Sequence, residues 1–278
     1  MAQKQQTKKT VSLTKIRHII QNIFVLGTFL LGVRHVMPGR ESTAGAFDVF
    51  CPMGGIETFF PYLLHGHTLK TTNLLNFAIL IGVLAVAILS GRSFCGWMCP
   101  LGTLQDMFAG WARRLSGEKR HIRGKRSKAR FPTTLPPKVD RWARYLKYLV
   151  LLAILAGSVA AVYPPLRTIC PARAVFSFQL TPLLASVLLT FVITSLLVKR
   201  FWCKYLCPLG AALSIFNKFA PLRVKINQDR CPHCGRCDAE CPMDITPIPE
   251  NMRSLECIQC LECLETCAVK DAIGLYLG

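Results

Sequence analysis

The residues with the clearest chemistry lie toward the carboxyl end. Residues 231–242 read Cys-Pro-His-Cys-Gly-Arg-Cys-Asp-Ala-Glu-Cys-Pro, which is C-x2-C-x2-C-x3-C-P. Residues 257–267 repeat the spacing with Cys257, Cys260, Cys263 and Cys267, and Ala268 stands where the first run has Pro242. Three thiols at this spacing wrap one corner of a cubane, and the fourth starts a short helix and reaches a second cubane. The pattern therefore predicts two [4Fe–4S] clusters. Cluster 1 takes Cys231, Cys234, Cys237 and Cys267; cluster 2 takes Cys257, Cys260, Cys263 and Cys241. Zinc would want two C-x2-C pairs separated by a longer loop. A disulfide framework would need an oxidising compartment.

Six of the 14 Cys remain. Residues 94–102 read Phe-Cys-Gly-Trp-Met-Cys-Pro-Leu-Gly and residues 202–210 read Trp-Cys-Lys-Tyr-Leu-Cys-Pro-Leu-Gly, so both are C-x3-C-P-L-G. Each is followed by an amphipathic segment (Leu101, Leu104, Met107, Phe108 and Trp111; then Leu209, Leu213, Phe216 and Phe219) that suits an interface plane. A lone Cys-Pro precedes each, at Cys51-Pro52 and Cys170-Pro171. The halves run in the same direction, as in a parallel repeat, which brings equivalent residues together near its axis. Cys95, Cys99, Cys203 and Cys207 then converge on one side, and Cys51 and Cys170 on the other. The four inner thiols have three possible uses: a third metal or cluster site, a redox dithiol, or inert buried Cys.

Four apolar stretches must position these motifs: Arg17–Met37, Thr72–Ser90, Tyr145–Tyr163 and Leu180–Val198. A bilayer crossing takes about 20 residues. A signal peptide competes for the first stretch, but its apolar run is too long for a typical h-region and no small-x-small site follows it. Lys and Arg number five in residues 1–18, three in 34–72, fourteen in 91–147, two in 164–180 and ten in 199–278. The alternation of rich and poor segments places both termini on the cytoplasmic side. The formal net charge of +19 is thus mainly a topology signal. The run Arg113–Arg130 sits beside a span, where anionic lipid is a cheaper partner than nucleic acid, so no nucleic-acid partner is expected. From Pro221 on, the chain has six basic and nine acidic residues, opposite in sign to the 113–147 loop, which offers itself as a docking surface.

The expected fold is an all-α polytopic membrane protein with four transmembrane helices in two parallel repeats. A small C-terminal α+β domain of the bacterial 2[4Fe–4S] ferredoxin type follows it. Residues 1–16 form a cytoplasmic tail. Residues 17–220 form the membrane domain, with a basic cytoplasmic loop at 112–147, and residues 221–278 form the ferredoxin domain. A water-soluble domain of this size would carry more than 18% charged residues and less than 51% hydrophobic ones.

Cys-Pro-Met-Gly-Gly at 51–55, the twin C-x3-C-P motifs, the four spans and the two-cluster tail together resemble the NapH/MauN-type membrane ferredoxins. The same core occurs in NosR and CcoG, which are longer. The resemblance implies a quinol dehydrogenase-type electron-transfer subunit in the prokaryotic inner membrane. Electrons would pass between the quinone pool and a partner redox protein, either a periplasmic ferredoxin or reductase or a cytoplasmic donor. Quinol is the expected substrate. An assembly or regulatory factor that reduces a metal ion or thiol is the alternative, as is a simple membrane-tethered ferredoxin. Quinol oxidation also needs a proton acceptor, for which His35, Glu41, Asp48, Glu57 and Asp106 are candidates. His65 and His67 lack a partner His at matching depth for haem, and no C-x-x-C-H is present.

Overall fold

The computed structural model describes residues 12–36, 51–65, 74–117, 132–160, 169–176, 178, 181–248, 254–269 and 272–277. The helical body consists of α1 (Leu13–Val36), α2 (Pro52–His65), α3 (Leu74–Ser90), α4 (Ser93–Trp97), α5 (Pro100–Leu115), α6 (Pro137–Ala143), α7 (Leu146–Ala160), α8 (Pro171–Phe176), α9 (Pro182–Leu197), α10 (Phe201–Tyr205) and α11 (Pro208–Ser214). The C-terminal module is β1 (Leu222–Ile226), α12 (Arg236–Glu240), α13 (Glu262–Thr266) and β2 (Ile273–Leu277).

Proline sets the helix starts. Each of the four Cys-Pro pairs of the body opens a helix: Pro52 begins α2, Pro100 α5, Pro171 α8 and Pro208 α11. A first-turn proline loses no hydrogen bond, and its fixed φ already suits a helix. Cys99 and Cys207 thereby become N-caps with extended backbone, and the Cys207 sulfur accepts from Gly210 N. The order apolar helix, short C-x3-C helix, Pro-started helix occurs twice, as α3–α4–α5 and α9–α10–α11. The halves interlock, with α5 packing on α9 and α11 on α7.

The long helices turn large apolar side chains outward. Ile23 on α1, Ile81 on α3, Leu152 on α7 and Leu189 on α9 are 62%, 66%, 67% and 62% exposed. Helices of a water-soluble domain bury such a face. Several of their hydroxyls bond back to their own helix: Thr28 to Phe24 O at 2.9 Å, Ser90 to Val86 O at 2.8 Å and Thr194 to Thr190 O at 2.7 Å. Two stretches, Leu13–Arg34 and Pro137–Val159, are long and apolar enough to cross a membrane; Leu75–Ser90 and Pro182–Leu197 are apolar but shorter. Against four expected spans, two therefore meet the length among the described residues. The expected second span begins at Thr72, outside them.

In the module, β1 and β2 pair antiparallel, with Leu222 opposite Leu277 and Ile226 opposite Ile273. Val224 and Ile273 bury against Leu261. The module does not hang on a free linker. Met53, Val83, Ala87 and Ile154 of the body and Cys241, Met243, Ile245 and Ile258 of the module belong to one apolar cluster.

Candidate redox centre

The two Cys runs adopt the same backbone. His233 and Gly235 have φ of +48° and +66°, and Gln259 and Leu261 have +48° and +62°. Left-handed residues interleaved in this way turn successive N–H groups inward, forming a nest suited to an anion or an iron–sulfur cluster. Gly235 takes the conformation at no steric cost, whereas Leu261 carries a cost of about 1–2 kcal/mol that its burial offsets. Immediately after the second left-handed residue of each run, Gly235 or Leu261, a five-residue helix starts, α12 or α13, and each helix ends at the fourth Cys of its run.

Cys231, Cys234, Cys237 and Cys267 line one cavity of about 200 Å³. Cys267 thus crosses to the first run. In the second set, burial first and then the thiolates of Cys257, Cys241 and Cys237 push the Cys263 thiol up to about 12. Burial likewise pushes Cys241 up to about 11, with Cys257 adding to it. Cys241 packs in one apolar cluster with Cys257, Cys260 and Cys263. Among the described residues no three His, Cys, Asp or Glu side chains stand close enough to hold a single metal ion. The four thiols lining the cavity of about 200 Å³ instead suit a cubane, and a [4Fe–4S] cluster bound there would supply one-electron chemistry. Burial raises the Cys241, Cys257, Cys260 and Cys263 thiols, so cluster insertion there must expel protons. Of the eight, Cys234 is exposed and Cys241 buried.

The C-x3-C turns form a second thiol group. Burial pushes the Cys99 thiol well up, and the charges of Cys203, Cys95 and Cys207 add to it. Cys207 is raised by burial and then by Cys203 and Cys95. Cys95 and Cys203 are buried and Cys99 and Cys207 half-buried, close enough for their charges to act on one another. Cys51 and Cys170 lie in two different apolar clusters, Cys51 with the cluster of Met53 and Cys170 with that of Phe191.

The two groups touch through backbone. A Cβ on Gly96 would lie 2.4 Å from Ile258 O, and Trp97 Nε1 donates to Gln259 O at 2.9 Å. The loop Cys257–Cys260 is thus seated on helix α4. Charges deep in the boundary hold it there. Arg17, fully buried, donates to Gly96 O at 3.0 Å and to Asp106 at 2.8 Å, and also to Glu262 of α13. Arg92 donates to Glu256 at 3.0 Å and to Leu255 O at 3.1 Å, and Lys147 also pairs with Glu256. Arg113 reaches Glu240 at 3.7 Å, and Arg144 donates to Met243 O at 2.8 Å. Part of the basic 113–147 segment therefore does face the module.

Other positions distribute unevenly. Asp106 is held by Arg200 in two hydrogen bonds of 2.7 and 2.6 Å. Burial would raise its carboxyl, but the charge and hydrogen bonds of Arg200, then the charges of Arg17 and His18, outweigh that and hold it below the ordinary range. Glu57 is buried on α2, at 2% exposure. Glu41, Asp48 and His67 lie outside the described residues, as do the side chains of His35 and His65. Reading the thiols alone missed Arg17, Arg92, Arg200, Gln105 and Glu256. A signal for two of them was present: an arginine stands three residues ahead of each C-x3-C, at Arg92 and Arg200.

The family described as "4Fe-4S binding domain" matches residues 72–118 and again 180–227, one match on each half of the repeat, and the "4Fe-4S dicluster domain" matches residues 223–268. YccM of Escherichia coli, named for electron transport, is 26% identical over 276 residues, covering 94% of this chain and 73% of YccM. The ferredoxin-type protein NapH of Haemophilus influenzae is 30% identical over 190 residues, 65% of this chain and 59% of NapH. The methylamine utilization ferredoxin-type protein MauN of Paracoccus denitrificans is 30% identical over 175 residues, 62% of this chain and 55% of MauN. The chain thus spans less than two thirds of the length of that NapH and that MauN. No solved structure matches it. With both Cys runs, both C-x3-C-P turns and these likenesses in place, the chain belongs to the NapH/MauN-type ferredoxin proteins.

Proposed function

We propose that the protein is a membrane-bound iron–sulfur electron carrier that passes electrons between the quinol pool and a partner oxidoreductase. In this reading α1, α3, α7 and α9 all span the inner membrane, with both termini cytoplasmic. The outward apolar faces of all four support that topology, the shorter two included. Cysteines 257, 260, 263 and 241 hold the cluster nearest the membrane body. Cysteines 231, 234, 237 and 267 hold the far one, with Cys234 open to a soluble partner. Glu57 is the buried acid that would take a proton from quinol, and the four C-x3-C thiols serve as redox groups of the same path.

One observation carries this reading: the Cys257–Cys260 loop is seated on the C-x3-C helix through Gly96, Trp97, Arg17 and Arg92. A ferredoxin on a tether has no use for such a contact. The test is reduction of the clusters by menaquinol or ubiquinol analogues in purified membranes, for the wild type, Cys95→Ser and Cys207→Ser. We expect reduction in the wild type and a loss of at least about tenfold in rate in both variants. No reduction of the wild type ends the quinol reading, and unchanged rates in both variants favour the tether. About eight irons per chain matches the two C-terminal clusters, and about twelve adds a cluster at the C-x3-C thiols.

A further inference from the structure

Arg92 and Arg200 occupy equivalent places in the repeat, three residues ahead of Cys95 and Cys203, and both are 0% exposed. Each reaches into the other half. Arg200 Nη1 donates to Cys95 O at 3.0 Å, and Arg92 Nη2 lies 3.5 Å from Cys203 O. The glycine that closes each C-x3-C-P-L-G motif makes room for the crossing. A Cβ on Gly210 would stand 2.8 Å from Arg92 Nη2, and one on Gly102 would stand 3.5 Å from Arg200 Nη1 and 3.1 Å from Cys95 O.

The symmetry breaks at the carboxylates. Arg200 is neutralised by Asp106 of α5. The matching position of α11, also seven residues after the second Cys, is Ser214, which hydrogen-bonds Tyr148 instead. The carboxylate for Arg92 comes from Glu256, one residue ahead of Cys257. The module thus supplies the ion-pair partner that the second repeat lacks. Arg92 Nε is buried without a hydrogen-bond acceptor among the described residues, so the guanidinium is held there through Nη1 and Nη2 alone.

We infer that Arg92 and Arg200 are paired positioning residues of the electron path: each fixes the C-x3-C turn of the opposite repeat, and Arg92 extends that hold to the cluster 2 loop and favours its reduced form. The inference rests on the proposed electron-transfer reading. A fixed positive charge beside a cluster stabilises the extra electron, and burial strengthens the effect because water cannot screen it. Gln105 supports the same geometry, since its Oε1 accepts from Trp202 N at 3.0 Å and its Nε2 donates to the Cys203 sulfur at 3.1 Å.

The experiment is an EPR-monitored redox titration of the full-length protein in detergent for the wild type, Arg92→Lys, Arg92→Met and Gly210→Ala, with iron counted in each. Arg92→Met should make cluster 2 at least about tenfold harder to reduce, a shift of about 59 mV to lower potential for one electron, while cluster 1 stays put. Arg92→Lys should recover most of that shift. Gly210→Ala keeps the charge but displaces the guanidinium, so it should alter the cluster 2 line shape. Gly102→Ala should do so less, because its approach to Arg200 is looser. An unchanged cluster 2 potential in Arg92→Met at full iron content overturns the inference, as does a lysine variant no better than methionine. Should the methionine variant fail to fold, an unaltered cluster 2 signal in Gly210→Ala overturns it. If the wild type shows no cluster signals, it is the electron-transfer reading itself that falls.

Discussion

Gly96 lies so close to the carbonyl of Ile258 that its missing side chain is part of the contact: a Cβ there would fall 2.4 Å from that oxygen. The first residue sits between the two thiols of a C-x3-C turn, and the second between two thiols of the cluster 2 run. Backbone meets backbone at this point, so neither side can yield by rotating a side chain. Gly96→Ala should therefore push the module off the body. Overpacking costs about 1–3 kcal/mol, which corresponds to about a 5- to 150-fold rise in the open population. Hydrogen exchange over residues 254–261 should accelerate by that factor while iron content holds. Unchanged exchange there would show that the two surfaces are not in contact.

Arg17 ties three segments together by donating to Gly96 O, Asp106 and Glu262. A buried ion pair adds little net stability, but removing one partner strands the other charge, at a cost of about 3–5 kcal/mol. Asp106→Asn leaves Arg17 and Arg200 without their shared carboxylate and should cost that much in denaturant melts. Glu262→Gln should cost less, because Glu262 pairs with Arg17 while Asp106 pairs with both Arg17 and Arg200. Equal costs for the two variants would argue against Asp106 as the centre of the network.

Much of this architecture is written locally. The C-x2-C-x2-C-x3-C spacing predicts a crossed ligand pattern, and each five-residue helix that carries the third thiol ends at the fourth, Cys241 or Cys267. The Cys-Pro pairs mark helix starts for the simple reason that proline suits the first turn. The arginines were not legible in the same way. Arg92 and Arg17 look like ordinary cytoplasmic charges beside a span, and only long-range packing shows that their partners are Glu256 and Glu262 at the far end of the chain. The four long helices illustrate the opposite limit. Hydropathy marks all of them, but the C-terminal ends of α3 and α9 are set by local turns: Gly91 has a φ of +60°, and the extended Val198 and left-handed Arg200 lead from α9 into the next C-x3-C helix.

Asp106 also sets a pH dependence. Its folded carboxyl lies below the ordinary range, because its arginine contacts outweigh the effect of burial. A depressed carboxyl contributes stability above its unfolded value of about 3.9, and loses it as pH falls through the folded value. The gap in thermal midpoint between the wild type and Asp106→Asn should therefore stay flat from about pH 7 to pH 5 and narrow only below about pH 4. A gap that closes near neutral pH would mean that another group holds the arginines.

The order of the clusters can be tested by removing them one at a time. Cys234 is exposed and lies on the run farther from α4, whereas Cys260 belongs to the loop seated on α4. Cys234→Ser and Cys260→Ser should each drop the iron count from about eight to about four. Their other effects should differ. Without cluster 2 the Cys257–Cys260 loop loses the bonds that fix its left-handed turns at Gln259 and Leu261. Trp97 then loses its acceptor at Gln259 O, and exchange at the interface should rise. Without cluster 1 the interface should stay protected. In quinol-driven reduction, Cys234→Ser should keep a reducible cluster 2, and Cys260→Ser should leave cluster 1 intact but no longer reducible from the membrane side. A cluster 1 that still fills with electrons at the wild-type rate in Cys260→Ser would reverse the order and place the entry point at the exposed end.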